Sequence, residues 1–269
     1  MDLTNIDTIK NLCKDLDIRP SKKLGQNFLI NRNVLDKIVE AAGLSKKDNV
    51  LEIGPGFGVL TEQLLKHVRN LMVVEKDKRL YSRLKTVFKE NIQAVNDDIL
   101  NTIIDFNEYK VVSNLPYQIT SMVLWRFLSE IKNKPEIMVL MVQKEVAERI
   151  LSKPGDMSIL AVMCQFYADI EPVDWVNRSN FYPEPDVDSA VIKLKIKKQK
   201  TDVDEKKFFR TVKVGFSAKR KMLKNNLSNG LHVPGSEIEK ILKDIGLNIK
   251  IRAQNLGVED WKKLVAKLT

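Results

Sequence analysis

The segment Glu52-Ile53-Gly54-Pro55-Gly56-Phe57-Gly58 constrains this chain more than any other. It follows the apolar run Val50-Leu51-Glu52-Ile53 and precedes Leu60, Leu64, Leu65 and Val68 at helical spacing. A second apolar run, Leu71-Met72-Val73-Val74-Glu75, comes next. Strand, glycine turn, helix and strand within about 26 residues make a βαβ unit. Glycines are needed where such a turn reverses sharply and lets a ligand approach its backbone.

A dinucleotide turn requires G-x-G-x-x-G, but its third glycine position holds Val59. The G-x-G-x-G spacing, with Glu52 two residues before Gly54, suits S-adenosylmethionine instead. That molecule carries no phosphate, so no anion-binding group is required. Its amino-acid end and sulfonium would sit against the turn, near Gly54 and Gly56. Glu75 ends the next strand, 21 residues after Gly54, where a carboxylate can accept from both ribose hydroxyls. Asp98, after a third strand, can accept from the adenine amino group. Each acid alone reads as a solvated loop carboxylate. Together, at strand C-terminal ends, they favour a nucleoside cofactor.

More strands are expected at residues 93–95, 111–114 and 137–142, with helical stretches between them, so the fold class is α/β, a Rossmann-like doubly wound sheet. Ile192, Leu194 and Ile196 alternate with lysines, which reads as an antiparallel strand at the sheet's edge. Lys198-Gln199-Lys200-Thr201 looks like a linker. Beyond it Phe208, Phe209, Val212 and Phe216 sit at helical spacing, Ser236 and Glu239 suggest a capping box, and Trp261, Leu264, Val265 and Leu268 mark a last helix. The expected division is a catalytic domain over residues 1–199 and a small all-helical domain over 200–269.

Composition excludes several classes. The 269 residues are 43% hydrophobic and 30% charged, with no apolar run long enough to span a membrane. Met1-Asp2-Leu3-Thr4-Asn5 lacks the apolar stretch of a secretory signal, and Cys13 and Cys164 form no paired motif, so a reducing cytoplasm is expected. With two histidines, no metal site is expected. The net charge of +10 is uneven: residues 193–269 hold 20 basic and 8 acidic residues, the rest 25 and 27. Such asymmetry points to a polyanion, against the plainer alternative of a solubilising lysine-rich surface.

The chemistry centres on Val111-Val112-Ser113-Asn114-Leu115-Pro116-Tyr117. A buried strand delivers Asn114 to the sheet's C-terminal edge. Pro116 fixes its own backbone and restrains Leu115. The Asn114 side-chain oxygen and the Leu115 carbonyl can then face one spot, with Tyr117 as a stacking face. Two acceptors suit an exocyclic aromatic amine, whose nitrogen is a poor nucleophile until held pyramidal. With an activated methyl as electrophile, orientation and electrostatics suffice.

These residues resemble the ribosomal RNA adenine dimethyltransferases. The likeness joins G-x-G-x-G to Asn114-Leu115-Pro116-Tyr117, to Leu24-Gly25-Gln26-Asn27-Phe28-Leu29, and to a segment running from Phe181-Tyr182-Pro183 to Val187-Asp188-Ser189. It implies that Gln26, Asn27 and Leu29 hold S-adenosylmethionine alongside Gly54, Gly56, Glu75, Asp98 and Asn114. It also implies that Phe181 stacks on the target adenine opposite Tyr117; without it, Phe181 reads as a core aromatic. The family's small-subunit branch is favoured by Val142-Gln143-Lys144-Glu145-Val146-Ala147-Glu148-Arg149, by the basic segment Phe216–Leu227, and by Arg252-Ala253-Gln254-Asn255-Leu256. This branch dimethylates two adjacent adenosines in a hairpin near the 3′ end of small-subunit rRNA. The alternatives are a large-subunit methyltransferase of the macrolide-resistance type and a non-catalytic assembly factor. The likeness covers about residues 19–268. Asn31, Asp156-Met157 and Gln254 depart from the family's usual residues.

RNA contact is expected from a basic helix. No acid occurs from Lys206 through Ser236, and Arg210, Lys219, Arg220, Lys221 and Lys224 are the expected phosphate ligands. A monomer acting on a small-subunit precursor is the expected working form.

Overall fold

The computed structural model describes residues 1–20, 25–198 and 203–268. Its elements in chain order are α1 (Ile6–Asp15), β1 (Phe28–Leu29), α2 (Arg32–Ala42), β2 (Asn49–Ile53), α3 (Val59–Leu64), β3 (Asn70–Val74) and α4 (Lys78–Phe88). Next come β4 (Gln93–Val95), β5 (Lys110–Asn114), α5 (Thr120–Trp125), β6 (Ile137–Gln143), α6 (Lys144–Ile150) and α7 (Ile159–Tyr167). The chain continues with β7 (Ala168–Val176), β8 (Phe181–Tyr182), β9 (Ser189–Ile196), α8 (Glu205–Gly215), α9 (Leu223–Leu231), α10 (Gly235–Asp244) and α11 (Val258–Lys267). Among the described residues no helix is long and apolar enough to cross a membrane.

Seven strands form one sheet in the order β4-β3-β2-β5-β6-β9-β7. The first five are parallel. From β2 the chain winds outward through β3 and β4, then returns to β2's other side with β5 and β6. The order therefore reverses between β2 and β5, the switch point where open α/β sheets bind ligands. These two strands pair only at Val50–Lys110 and Leu51–Val111, below their C-terminal ends. β6 reads as an almost unbroken apolar run, Ile137–Val142, because it is buried on both faces; β5 is as buried but carries Lys110, Ser113 and Asn114 at its two ends.

One expectation is corrected on the antiparallel side. β9 is antiparallel, but it lies between β6 and β7 rather than at the edge. The edge is β7, whose sequence Ala-Asp-Ile-Glu-Pro-Val-Asp-Trp-Val hides its strand character behind acids and Pro172. Proline is tolerated there because an edge strand has one unpaired side, and the register shifts between Pro172 and Asp174. The helix α1 also carries no signal singled out above. Asn5 caps it, accepting from the Asp7 and Thr8 N–H groups, and its Ile9, Leu12 and Cys13 are buried.

The chain divides into two compact units, Met1–Ala147 with Ala168–Ile196, and Glu148–Tyr167 with Lys197–Thr269. The expected boundary at 199/200 and most of the expected linker lie outside the described residues, as does Leu24 of the Leu24–Leu29 motif. The helix α7, expected in the first domain, belongs to the second unit. Aromatic packing explains this: Phe166 lies 4.4 Å from Phe208 between ring centroids, and Tyr167 stacks on Phe209 at 5.5 Å.

Within the second unit the capping box of Ser236 and Glu239 does not form: α10 has Pro234 at its N-cap and no side-chain cap. Glu239 instead takes an ion pair from Lys224. Gln254 donates from its amide to the Gly155 carbonyl at 2.7 Å, a bond that the family's usual glutamate, once ionised, has no proton to make. Asn31 caps α2, accepting from the Val34 N–H at 3.2 Å, a task an acid performs equally well.

Candidate active site

The glycine turn follows β2 because three positions demand a backbone that side chains resist. Gly54, Gly56 and Gly58 all have positive φ. At Gly58 an added Cβ would sit 2.6 Å from the Phe88 ring of α4, so that glycine serves helix packing. At Gly54 it would meet Pro116 at 3.3 Å, so the glycine turn and the proline turn touch.

Gln26, Asn27, Leu29, Gly54, Gly56, Glu75, Asp98, Asn114, Leu115, Pro116 and Tyr117 all line one cavity at the β2/β5 switch point. The cavity measures about 1260 Å³ with its open mouth included. Glu75 is buried at its wall. One carboxylate oxygen accepts from the Gly56 N–H at 3.1 Å, the other from the Asp77 N–H at 2.9 Å. Burial raises its pKa against those two bonds. Each oxygen keeps a further lone pair for a diol. Asp98 is held by Lys76 at 2.8 Å, which keeps its carboxyl below the usual range.

Deeper in the wall is Glu52, 1% exposed, with one oxygen accepting from the Thr61 hydroxyl at 2.6 Å. Burial pushes its pKa up to about 8, and the nearby Glu75 adds to the rise. Apart from Glu52, which its raised pKa keeps protonated near neutral pH, the acidic side chains Glu75, Asp77, Asp97 and Asp98 line the cavity, and Lys76 is the single cationic side chain among the described residues of its lining. Such a lining repels a pyrophosphate and favours a cation. With a diol acceptor and a glycine turn open to close approach, the residues present fit S-adenosylmethionine.

The opposite wall is the turn after β5. Ser113 is fully buried and its hydroxyl donates to the Ile53 carbonyl at 2.6 Å, tying β5 to β2. The Leu115 N–H donates to the Met141 carbonyl at 3.1 Å. The Asn114 amide nitrogen donates to the Asn27 carbonyl at 3.3 Å, which makes the other end of the amide the oxygen. Gln26 donates to Asp77 at 3.3 Å, bracing the same loop. The Tyr117 hydroxyl lies 2.6 Å from the Ser189 hydroxyl, and burial raises the phenol's pKa. Ser189 is a site residue that the sequence presents only as the end of a motif; its contact spans 72 positions.

Phe181 is not part of the cavity lining. It is 3% exposed, pairs across β1–β8 with Leu29, and belongs to the core with Val34, Leu35 and Ile38 of α2. The plain core reading of this residue describes its position here.

In the second unit the basic residues are not on one helix. Arg210 is exposed on α8, but Lys219, Arg220 and Lys221 occupy the turn between α8 and α9. Lys224 stands in the first turn of α9 and is paired with Glu239. The helix α8 ends at Gly215, which packs so closely on Trp261 that an added Cβ would lie 2.4 Å from the indole. The buried Asn226 then donates to the carbonyls of Gly215 and Ala218, at 2.6 and 3.1 Å, and pins the turn.

A relative from Dehalococcoides mccartyi, named ribosomal RNA small subunit methyltransferase A, is 44% identical over 95% of this chain and 90% of its own length. A Bacillus cytotoxicus protein of the same name is 38% identical over 98% and 96%. Among solved structures, a dimethyladenosine transferase from Plasmodium falciparum overlays with a TM-score of 0.79 at 29% identity, covering 89% of this chain and 96% of its own. The 23S rRNA methyltransferase ErmE overlays at 0.75 with 28% identity, covering 90% and 99%. Residues 19–269 match the family model described as ribosomal RNA adenine dimethylase, and the chain belongs to that family.

Proposed function

We propose that this protein dimethylates the exocyclic amines of two adjacent adenosines in the 3′-terminal hairpin of small-subunit rRNA, acting as a monomer on a precursor particle. The observation that carries the reading is the Asn114 amide, whose nitrogen is committed to Asn27 and whose oxygen is thereby free to accept. The names of the 44% and 38% identical relatives support the small-subunit branch over the large-subunit one.

S-adenosylmethionine, when bound, supplies a methyl group activated by its sulfonium. Glu75 would hold the ribose, Asp98 the adenine amino group, and the Gly54–Gly56 backbone the amino-acid end. Asn114 Oδ1 and the Leu115 carbonyl would accept the two protons of the target amine and direct its lone pair across the cavity. Such positioning is the main source of acceleration where no strong base is present. Tyr117 would stack on the extruded base and offset part of its unstacking. Its phenol stays neutral at physiological pH, so it acts as a surface rather than a base. The amine's released proton passes to solvent.

The test is to map a tritiated methyl group after incubation with both ribosomal subunits. Label on the 3′-terminal hairpin of small-subunit RNA is expected. Label on large-subunit RNA would move the protein to the resistance branch, and no label with normal particle binding would make it an assembly factor.

A further inference from the structure

Helix α4 is a basic element within residues 1–192, whose overall charge is slightly negative. From Lys78 to Lys89 it holds five basic and no acidic residues. A groove runs between this helix and Leu16, the residue that closes α1, with Lys78, Arg83 and Val87 on its walls. Arg79, also in the groove, is committed: it pairs with Asp77 and donates to the Asp17 carbonyl at 2.6 Å. Arg83 is not. Its Nε is sealed from solvent without a hydrogen-bond partner, and its Nη2 has a methionine sulfur 4.0 Å away. Lys78 is exposed and has no ion pair among the described residues.

We propose that this groove seats the sugar-phosphate backbone of an rRNA segment flanking the methylated hairpin, with Arg83 and Lys78 as the phosphate ligands. A guanidinium left with unspent donors beside Leu16 and Val87 meets a phosphate in a partly desolvated setting, where charge-assisted bonds are strong. Partial burial also lowers the Arg83 pKa, a cost that an anion relieves. The apolar walls suit the sugar face of the backbone. The groove is next to the cofactor cavity, since Leu80 of the same helix lines that cavity. The proposal rests on the rRNA reading above and adds a contact surface that the C-terminal charge excess does not reveal.

The test is the salt dependence of small-subunit particle binding by the full chain, with the double variant R83M/K78M. Methionine keeps the apolar stems, and a thermal melt and S-adenosylmethionine calorimetry confirm that the variant is folded. The plot of log affinity against log salt should flatten by about 0.7 per lost single-strand contact, or about 1.4 in all. R83K should recover the Arg83 share of the slope. An unchanged slope with methyl transfer intact would overturn the groove while leaving the methyltransferase reading in place. Absent particle binding by the wild type would overturn both. A second arm follows the Arg83 Nε–H resonance: a shift with a short RNA strand supports the proposal. Saturation by inorganic phosphate alone, with no added effect of RNA, would make the groove a free-anion site and overturn the backbone seat.

Discussion

The carbonyl of Asn27 receives the side-chain amide of Asn114 at 3.3 Å, across 87 residues of sequence. This bond sets which end of the Asn114 amide faces the cavity. Asn114→Asp offers no N–H to Asn27 and turns a charge toward its carbonyl. Both Asn114→Asp and Asn114→Ala should lower kcat by about 10²–10³-fold, the scale of losing one aligned electrostatic contact. Particle binding measured by filtration should change little.

Ser189 fixes Tyr117 rather than touching a base. Ser189→Ala should leave cofactor affinity unchanged and cost about 1 kcal/mol of stability from the lost buried hydrogen bond. Its kinetic signature should be a lower kcat on rRNA. Tyr117→Phe keeps the ring and should share that modest loss, whereas Tyr117→Ala removes the stacking face and should lose about 1–3 kcal/mol of base binding.

Phe181 separates two roles. As a core residue its change to alanine should destabilise the protein by about 3–5 kcal/mol in denaturant unfolding. Phe181→Leu should restore most of that stability. If methyl transfer returns with it, packing accounts for the residue; if activity stays low in a stable protein, Phe181 reaches the adenine in the working complex.

Glu52 makes stability depend on pH. Its folded pKa, about 8, lies above its ordinary value of 4.5. The proton it holds when folded therefore contributes stability that is full below about pH 4.5 and lost as pH rises toward 8. Glu52→Gln should remove this dependence while keeping an acceptor for Thr61. The stability difference, variant minus wild type, should grow across that window with a limiting slope of about 1.4 kcal/mol per pH unit. Urea titrations of the cofactor-free protein from pH 5 to 8.5 measure it.

The basic turn before α9 should act through charge. Replacing Lys219, Arg220 and Lys221 together by alanine should flatten the salt dependence of particle binding, because all three are exposed. Lys224→Ala should change the slope less, since its ammonium is already spent on Glu239. Binding isotherms at four salt concentrations distinguish them.

Much of this was legible in the residues. Strand β4 falls where it was expected, and the cavity gathers Gly54, Gly56, Glu75 and Asp98 because glycine turns and strand-end acids are local signals, while Gln26, Asn27 and Leu29, which also line it, were expected only from the family resemblance. Contacts between distant segments were not legible. Ser189 reaching Tyr117 and Asn27 reaching Asn114 depend on sheet order, which no window of sequence contains. Strand β7 was hidden because an exposed edge strand has no need of an apolar alternation. The basic turn read as a helix because its charge is uninterrupted, while the bonds that hold it as a turn come from the buried Asn226 further along the chain.

β2 and β5 part company after two paired residues, and the hydroxyl of Ser113 bridges the gap above. The glycine turn after β2 and the proline turn after β5 thus stand on diverging strand ends, tied by the Ser113 side chain and touching at Gly54 and Pro116. A Ser113→Ala change, one residue before Asn114, would remove that bridge and leave the two strand ends held by the pairing below it.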